Sequence, residues 1–138
     1  MATKLNPYIN YNGNAREAME FYQSVFGGEL HLSTFKEYNM SQSPADDNKI
    51  MHAQLEGPHG MTLMAADVTG SMGYQPGSNF SISLSGEDEG ELRGYFDGLA
   101  AGGTVLQPFE KAPWGDTFGM VTDKFGVLWL VNLNSPSA

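Results

Sequence analysis

The stretch WGDTFGMVTDKFGVLWLVN, residues 114–132, decides the fold of this chain. Residues 115–122 mix aromatic and β-branched residues with glycine, which is typical of a strand. Residues 123–126 (DKFG) supply turn chemistry, because Gly126 can adopt a positive φ without steric cost. Residues 127–131 then form a continuous apolar run, as expected of a strand that is covered on both faces. The stretch therefore predicts a strand, a tight turn and a second strand.

A weaker copy of this hairpin occurs earlier in the chain. It consists of strand-like residues 50–56, the turn GPHG at 57–60 and an apolar strand at 61–66. Two similar hairpins in one chain indicate an internal repeat, which has to be tested on the preceding elements.

The elements before the two hairpins repeat as well. Helical patterns occupy residues 14–26 and 88–101, and a pair of glycines ends each of them. One strand precedes each helix and another follows each glycine pair, at residues 7–11, 29–32, 80–84 and 104–107. We therefore predict an α+β chain with two β-α-β-β-β modules. The first spans about residues 4–68, a Gly-, Ser- and Pro-rich linker about 68–78, and the second module about 79–133.

Length and composition limit the classes of protein to consider. The 138 residues, 17% charged and 12% aromatic, suit one globular domain rather than a disordered chain. The absence of cysteine excludes disulfides, thiolate nucleophiles and cysteine metal sites. No apolar run approaches the roughly 18 residues of a membrane span, so we expect a cytoplasmic protein without a membrane partner.

The net charge is −9, with only seven Lys and Arg residues. Binding to phosphates needs a basic surface, so nucleic acid is not an expected partner. The acidic balance favours a small neutral or cationic ligand. A charge that only maintains solubility explains the same excess.

Capping residues mark the helix ends. Asn14 and Glu17 predict a capping box for the first helix, and Asp88 and Glu91 predict the same for the second. Gly27 is the predicted left-handed cap that ends the first helix.

The segment Tyr38–Lys49 is polar and rich in turn-forming residues, and it has no counterpart in the second half of the chain. We predict a mobile loop or lid here.

Strand alternation predicts which side chains face away from the helices. The predicted helix-facing residues are Pro7, Ile9, Tyr11, Met51, Ala53, Leu55, Met61, Leu63, Ala65, Phe80, Ile82, Leu84, Val127, Trp129 and Val131. The opposite face collects Tyr8, Asn10, His52, Gln54, Thr62, Met64, Ser81 and Ser83. This mixture of polar and apolar side chains is typical of a small-molecule pocket.

Three segments resemble a known family in sequence and in order. They are PYINYNGNAREAMEFYQSVFGG at 7–28, IMHAQL at 50–55, and WGD at 114–116 followed by DKFGVLW at 123–129. They resemble the PhnB-like branch of the glyoxalase/bleomycin resistance/dioxygenase (vicinal oxygen chelate) superfamily, and the resemblance covers nearly the whole chain. It implies two modules whose sheets curl around a cavity, usually in a homodimer. It implies function less well, because the fold hosts lyases, dioxygenases, epimerases and antibiotic binders.

Some PhnB-like proteins carry a demethylubiquinone methyltransferase label. The sequence has no glycine-rich strand-turn-helix loop of the kind that binds nucleotides. Nothing in the residues therefore supports methyl transfer.

Metal-dependent members of the superfamily carry His, Glu or Gln at four positions, on the first, fourth, fifth and eighth strands. By facing and turn offsets, these positions fall at Asn6 (or Tyr8), Met64, Asn79 and Leu130. Asparagine is a weak neutral ligand, methionine is soft and leucine cannot ligate, whereas zinc, iron and manganese prefer imidazole or carboxylate. We therefore predict that no metal occupies the superfamily's site and that no cofactor is needed.

The remaining candidates have structural alternatives. His52, beside Gln54, could act as an acid or base in the pocket, but a strand histidine is more often a hydrogen-bonded structural residue. Trp114 and Asp116 open the seventh strand near the expected cavity mouth, where an aromatic ring and an anion could hold a cation. A tryptophan that only covers the sheet edge fits Trp114 equally well. Trp129 is predicted to lie in the core.

Taken together, the residues predict a metal-free small-molecule binder of unknown ligand. The alternatives are a lyase, isomerase or dioxygenase with a non-standard metal site through His52 and Glu56, and a protein-interaction module without a ligand. His31 and His59 are predicted to lie on the surface. The predicted ligand-binding residues are Tyr8, Asn10, His52, Gln54, Met64, Ser81, Ser83, Trp114 and Asp116.

Overall fold

The computed structural model describes residues 3–69 and 73–134, and the chain divides into two compact units, Met1–Pro76 and Gly77–Ala138. The first unit contains β1 (Tyr8–Tyr11), α1 (Ala15–Phe26), β2 (Glu29–Thr34), β3 (Ile50–Glu56) and β4 (Thr62–Asp67). The second contains β5 (Ile82–Gly86), α2 (Glu89–Ala100), β6 (Thr104–Lys111), β7 (Thr117–Thr122) and β8 (Leu128–Leu133). The α+β class and the repeated β-α-β-β-β order are confirmed. Residues 70–72, within the predicted linker, lie outside the described residues.

The two units have the same sheet topology. The strand orders are β1-β4-β3-β2 and β5-β8-β7-β6. In each sheet the first strand pairs in parallel with the fourth, and the other pairs are antiparallel. Helix α1 packs on its own sheet, and α2 does so in the second unit. Each sheet therefore has a helix-covered face and an opposite face.

The helix-covered face of the first unit follows the predicted alternation. Ile9 and Tyr11 of β1 are buried, as are the predicted residues of β3 and β4, namely Ala53, Leu55, Leu63 and Ala65. The Tyr11 and Tyr22 hydroxyl oxygens lie 2.9 Å apart in this core, so the strand and the helix share a buried hydrogen bond. Burying an aromatic ring while its hydroxyl keeps a partner avoids the cost of an unsatisfied polar group.

The predicted alternation of buried and exposed side chains is wrong where a strand contains a bulge or begins later than predicted. At Met51 a bulge places an extra residue in β3, so Ile50 is buried at 1% exposure while Met51 is half-buried. Phe80 precedes β5 and is 64% exposed, and Pro7 precedes β1 and is exposed. Outside the ladder the backbone has no pleat that fixes the side-chain direction.

The predicted side-chain cap of α1 is wrong. Asn14 makes no capping hydrogen bond with its side chain. Instead, Asp67 at the end of β4 accepts hydrogen bonds from the backbone N–H groups of Gly13 and Ala15, both at 2.9 Å. A buried carboxylate is a stronger acceptor than an amide and also complements the positive end of the helix dipole.

One of the two hydrogen bonds of the capping box predicted for α2 is present. Asp88 accepts a hydrogen bond from the Glu91 backbone N–H at 3.1 Å. Gly27, which follows α1, donates its N–H to the Gln23 carbonyl and has a positive φ of 80°, but its ψ of −168° lies outside the predicted left-handed cap conformation.

The turn that joins β7 and β8 centres on Asp123. Its side chain accepts hydrogen bonds from the N–H groups of Phe125 and Val127, at 2.8 and 3.1 Å, and from the indole Nε1–H of Trp129 at 2.9 Å. Gly126 has φ 88°, as predicted. Trp129 is buried in the core, also as predicted.

The segment 38–49, predicted as a mobile loop or lid, contains short helical turns. The 3-10 helices Lys36–Tyr38 and Pro44–Asp46 lie in this part of the chain. The Phe35 N–H donates to the Lys49 carbonyl, and the buried Asp46 forms an ion pair of 3.1 Å with Lys49. These contacts fix both ends of the segment next to the sheet.

Candidate functional site

The first sheet carries a mixed polar and apolar row on the face opposite α1. Tyr8 is the direct neighbour of Met64 across the parallel pair, and Met64 is the neighbour of Gln54 on the other side. The structure therefore brings together three of the predicted site residues on adjacent strands. Met64 and Gln54 are half-buried, whereas 47% of Tyr8 is exposed.

Hydrogen bonds connect the polar members of this face. Tyr8 Oη lies 3.4 Å from His52 Nδ1, and His52 Nε2 lies 3.4 Å from Gln54 Oε1. Gln54 Nε2 donates to Glu56 Oε1 at 3.4 Å. The Tyr8 and His52 rings also contact each other, with centroids 5.9 Å apart. We call these four residues, Tyr8, His52, Gln54 and Glu56, the polar row.

The environment of Tyr8 is less polar than its exposure suggests. Partial burial beside the sheet desolvates its hydroxyl and raises the pKa of Tyr8 above the usual 10.0. The phenol is therefore neutral and able to donate a hydrogen bond across the physiological pH range.

Asn10 lies at the edge of the same face. It pairs with Ala66 and is exposed. Its amide lies one alternation beyond Tyr8 on β1, so it is open to a molecule that lies along this strand.

The opposite face of the second sheet is more apolar. Ser83 is the direct partner of Leu130, and Leu130 is the partner of Met120 on the next strand. Ser83 is exposed, whereas Leu130 and Met120 are half-buried. Ser81, half-buried, precedes β5.

Trp114 and Asp116 lie just before β7 in the second unit. The Trp114 ring is 64% exposed and meets the Phe118 ring edge-on, with centroids 5.6 Å apart. Asp116 accepts a hydrogen bond from Asn132 Nδ2 at 3.1 Å. Trp114 thus has little core around it, in agreement with a surface role. The sequence interpretation missed Phe118 and Asn132, although both alternate with buried positions on β7 and β8.

The positions that the sequence interpretation assigned to a metal carry no strong ligands. In the first unit, the two paired positions are Tyr8 and Met64. In the second, Leu130 pairs with Ser83, and the predicted position Asn79 precedes β5 and lies outside the ladder. Phenol, thioether, hydroxyl and an aliphatic chain are a poor donor set for zinc, iron or manganese.

A separate group of potential metal ligands occurs at the β2 edge of the first sheet. Among the described residues, Glu29, His31 and Glu56 bring one ligand atom each to within 4.8 Å of the others. The sequence interpretation treated His31 as an isolated surface residue, and only the strand pairing shows that it has two carboxylate neighbours.

His59 is exposed in the turn between β3 and β4. None of the helices in the described parts of the chain is long and apolar enough to cross a membrane.

Comparisons with known proteins agree with this architecture. A protein from Pseudomonas aeruginosa, PA1353, shares 38% identity with a TM-score of 0.81, over 98% of this chain and 100% of that one. A PhnB protein from Bacillus cereus shares 28% identity with a TM-score of 0.73, over 96% and 100%.

The fold extends to more distant proteins. A glyoxylase/bleomycin resistance protein/dioxygenase domain from Frankia shares the fold, at 14% identity with a TM-score of 0.68, over 97% of this chain and 98% of that one. The family model described as 3-demethylubiquinone-9 3-methyltransferase matches residues 3–132. The chain therefore belongs to this family, whose members include PhnB-like proteins with the glyoxalase/bleomycin resistance fold.

Proposed function

We propose that the chain binds a small neutral or cationic molecule over the polar row of the first sheet, without a metal ion at the superfamily's ligand positions. The observation that carries this proposal is the continuous chain of hydrogen bonds from Tyr8 through His52 and Gln54 to Glu56, which lies beside the thioether of Met64. A few convergent polar groups next to an apolar surface are the usual lining of a small-molecule site.

The directions of the hydrogen bonds specify what the polar row offers. Gln54 donates its amide N–H to Glu56, so its carbonyl oxygen faces His52 and must accept. His52 therefore donates from Nε2, and in that tautomer Nδ1 is the acceptor. Tyr8 then donates its hydroxyl proton to Nδ1, and the lone pairs of the Tyr8 oxygen remain for a ligand.

A ligand that meets this oxygen has to supply a donor. Ammonium, amine, amide and hydroxyl groups satisfy that requirement, whereas a carboxylate does not. The net charge of −9 favours the cationic members of this class. In the second unit, the exposed Trp114 ring and the Asp116 carboxylate offer a cation similar chemistry, and Ser81 and Ser83 add hydroxyl groups.

Three probes of one size and different charge test the proposal: benzylammonium, benzyl alcohol and benzoate. We expect the affinity, measured from amide chemical shifts in NMR titrations, to fall in that order. The shifts should map to β1, β3 and β4. Tighter binding of benzoate, or shifts confined to other elements, would contradict the proposed site, and no shifts with any probe would favour an interaction module.

Two histidine variants test whether the polar row, rather than any surface histidine, contributes to ligand affinity. His52→Ala removes the acceptor that orients the Tyr8 hydroxyl, so it should weaken benzylammonium binding by about fivefold, the value of one ordinary hydrogen bond. His59→Ala, in the exposed turn, is the matched control and should leave the affinity unchanged. Equal affinities in the two variants would exclude a role of His52 in binding.

The metal-free part of the proposal rests on the residue types at Tyr8, Met64, Ser83 and Leu130. Elemental analysis of protein purified without chelator tests it. Stoichiometric zinc, nickel, iron or manganese that persists in a His31→Ala variant would instead support the alternative, a metal-dependent lyase, isomerase or dioxygenase.

Methyl transfer, which the family description names, finds no support in the strand-to-helix connections. In the described residues these connections are 12–14 and 87–88, and neither is a glycine-rich phosphate-binding loop. Binding of S-adenosylmethionine in a calorimetric titration would overturn this part of the proposal.

We also propose a homodimer. Within each unit the sheet ends in two edge strands, and edges of this kind are commonly covered by assembly. On β6, Val105 and Leu106 are 45% and 54% exposed, so one edge carries apolar side chains. Sedimentation at micromolar concentration should give twice the chain mass, and a single 15.0 kDa species would exclude the dimer.

A further inference from the structure

The β2 edge of the first sheet gathers three ligating side chains at a distance from the superfamily's metal positions. Glu29 and His31 lie two residues apart on β2, so they project from the same face. Glu29 is the direct cross-strand partner of Glu56 on β3. His31 Nε2 lies 3.7 Å from Glu29 Oε2 and 3.8 Å from Glu56 Oε2.

The charges of this group favour a cation. Two carboxylates directly opposite each other on paired strands repel, and the chain's net charge of −9 adds to the repulsion. A divalent cation held by all three side chains relieves this repulsion, with the imidazole as its nitrogen ligand.

The geometry is close to that of a coordination shell. A tetrahedral zinc ion with nitrogen and oxygen ligands at about 2.1 Å places its ligand atoms about 3.4 Å apart. His31 Nε2 lies 3.7 and 3.8 Å from the two carboxylates, and all three ligand atoms lie within 4.8 Å of one another, so an inward movement of these exposed side chains would complete the shell. Their exposed fractions are 81%, 64% and 54% for Glu29, His31 and Glu56, so solvent can supply the remaining ligands.

A neighbouring residue already orients one of the carboxylates. Gln54 donates to Glu56 Oε1, whereas Glu56 Oε2 is the atom nearest to His31. Carboxylate ligands in metal sites are commonly held in this way by an outer hydrogen bond.

We propose that Glu29, His31 and Glu56 form a surface site for a divalent transition metal ion, with Zn²⁺ as the best match to one imidazole and two carboxylates. The site is separate from Tyr8, Met64, Ser83 and Leu130. It shares Glu56 with the polar row, so the two proposals are told apart by His31→Ala, which removes a metal ligand, and His52→Ala, which changes the polar row and leaves the metal group intact.

Calorimetric titration of the purified chain with Zn²⁺ tests the proposal. We expect one saturable site. His31→Ala should weaken Zn²⁺ binding by roughly tenfold or more, since it removes the only nitrogen ligand of the group. His59→Ala removes an exposed histidine in the same unit and should bind Zn²⁺ like the wild type.

Carboxylate variants complete the experiment. Glu29→Gln and Glu56→Gln keep the side-chain size and should each weaken Zn²⁺ binding. Thermal unfolding without metal confirms that the variants are folded. Absence of saturable binding, or equal affinities in the wild type and His31→Ala, would overturn the proposal.

Discussion

The two units share a topology and differ mainly on the faces away from their helices. Asp67 anchors the loop before α1 in the first unit, and Asp123 anchors the β7–β8 turn in the second. On the opposite faces the paired positions are Tyr8 with Met64 in one unit and Ser83 with Leu130 in the other. The hydrogen-bonded polar row occurs in the first unit.

This difference separates what the fold requires from what the fold allows. A helix-covered face must fill a core at close-packed density, so it accepts few changes. The other face has no such requirement within its own unit, and chemistry can differ there without loss of the fold. The polar row and the Glu29–His31–Glu56 group both lie on the less constrained face of the first sheet.

The largest expected change in the free energy of unfolding is at the two buried carboxylates that anchor the units, Asp67 and Asp123. Asp67→Ala leaves the N–H groups of Gly13, Ala15 and Ile50 without their acceptor, and Asp123→Ala does the same to two N–H groups and an indole. We expect the free energy of unfolding to fall by about 3 kcal/mol in each, because buried unsatisfied donors are costly. Urea denaturation measures the loss.

A control on α2 checks that the loss comes from the anchor. Asp97→Ala removes an exposed carboxylate and should change the free energy of unfolding by no more than about 0.5 kcal/mol. If Asp67→Ala matched Asp97→Ala, the idea that the buried Asp67 carboxylate anchors the first unit would be wrong.

The second effect concerns the glycine that begins the second strand of each unit. A Cβ at Gly28 or Gly103 would lie 2.2 Å from a backbone carbonyl oxygen, of Glu56 or Thr122 respectively. Gly103→Ala should therefore lower the free energy of unfolding by about 2 kcal/mol. Gly28→Ala should cost about 1 kcal/mol more, because Gly28 also has a φ of +95°.

Substitutions at two other glycines separate the energetic cost of the positive φ from the cost of the close Cβ contact. Gly13 shares the φ of +95° but has open space around its Cβ position, so Gly13→Ala measures the backbone term alone. Gly94 is helical with open space, and Gly94→Ala should raise the free energy of unfolding by about 1 kcal/mol. Equal losses for Gly13→Ala and Gly28→Ala would show that the close approach has no energetic weight.

A smaller effect on stability is expected at Trp114. The ring is 64% exposed, so Trp114→Ala should change the free energy of unfolding by less than about 1 kcal/mol. It should weaken binding of benzylammonium next to Trp114 and Asp116 in the second unit, measured from the amide shifts of residues 114–118, because an exposed aromatic ring contributes to holding a cation. A large loss of melting temperature with unchanged affinity would show that Trp114 is structural.

The repeated topology could be predicted from sequence because it depends on local signals. Gly126 at the turn, the glycine pairs and the apolar alternation each act within a few residues. The cap of α1 could not be predicted, because its acceptor Asp67 lies more than 50 positions from the helix start and comes near it only through the parallel pair of β1 and β4.

The site could be predicted in part for the same reason. Tyr8, His52, Gln54 and Met64 were placed on one face by period-two alternation alone, and the pairing brings them together. The association of His31 with Glu29 and Glu56 depends on strand register, which alternation does not fix. The start of β5 was predicted too early because Phe80 continues the apolar pattern outside the ladder.

The smallest expected effect is the pH dependence of two tyrosines, one in each unit. Desolvation by burial raises the pKa of Tyr8. Desolvation is also the largest cause of the raised pKa of Tyr95, and the nearby negative charges of Glu91 and Asp88 raise it further. For a group whose pKa is raised by folding, stability is fully present below the unfolded value and is lost as the pH rises toward the folded value. The free energy of unfolding should therefore decline above about pH 10.

Salt distinguishes the two causes. Tyr8→Phe and Tyr95→Phe should each reduce the alkaline decline, measured by urea denaturation between pH 9 and about 11. Added salt screens the carboxylates near Tyr95 and should shrink the difference between Tyr95→Phe and the wild type, because screening acts on charges and not on desolvation. The difference for Tyr8→Phe should persist in salt. A salt-sensitive Tyr8 would show that charge rather than burial sets its titration, and the polar row would then carry more charge than its hydrogen-bond pattern implies.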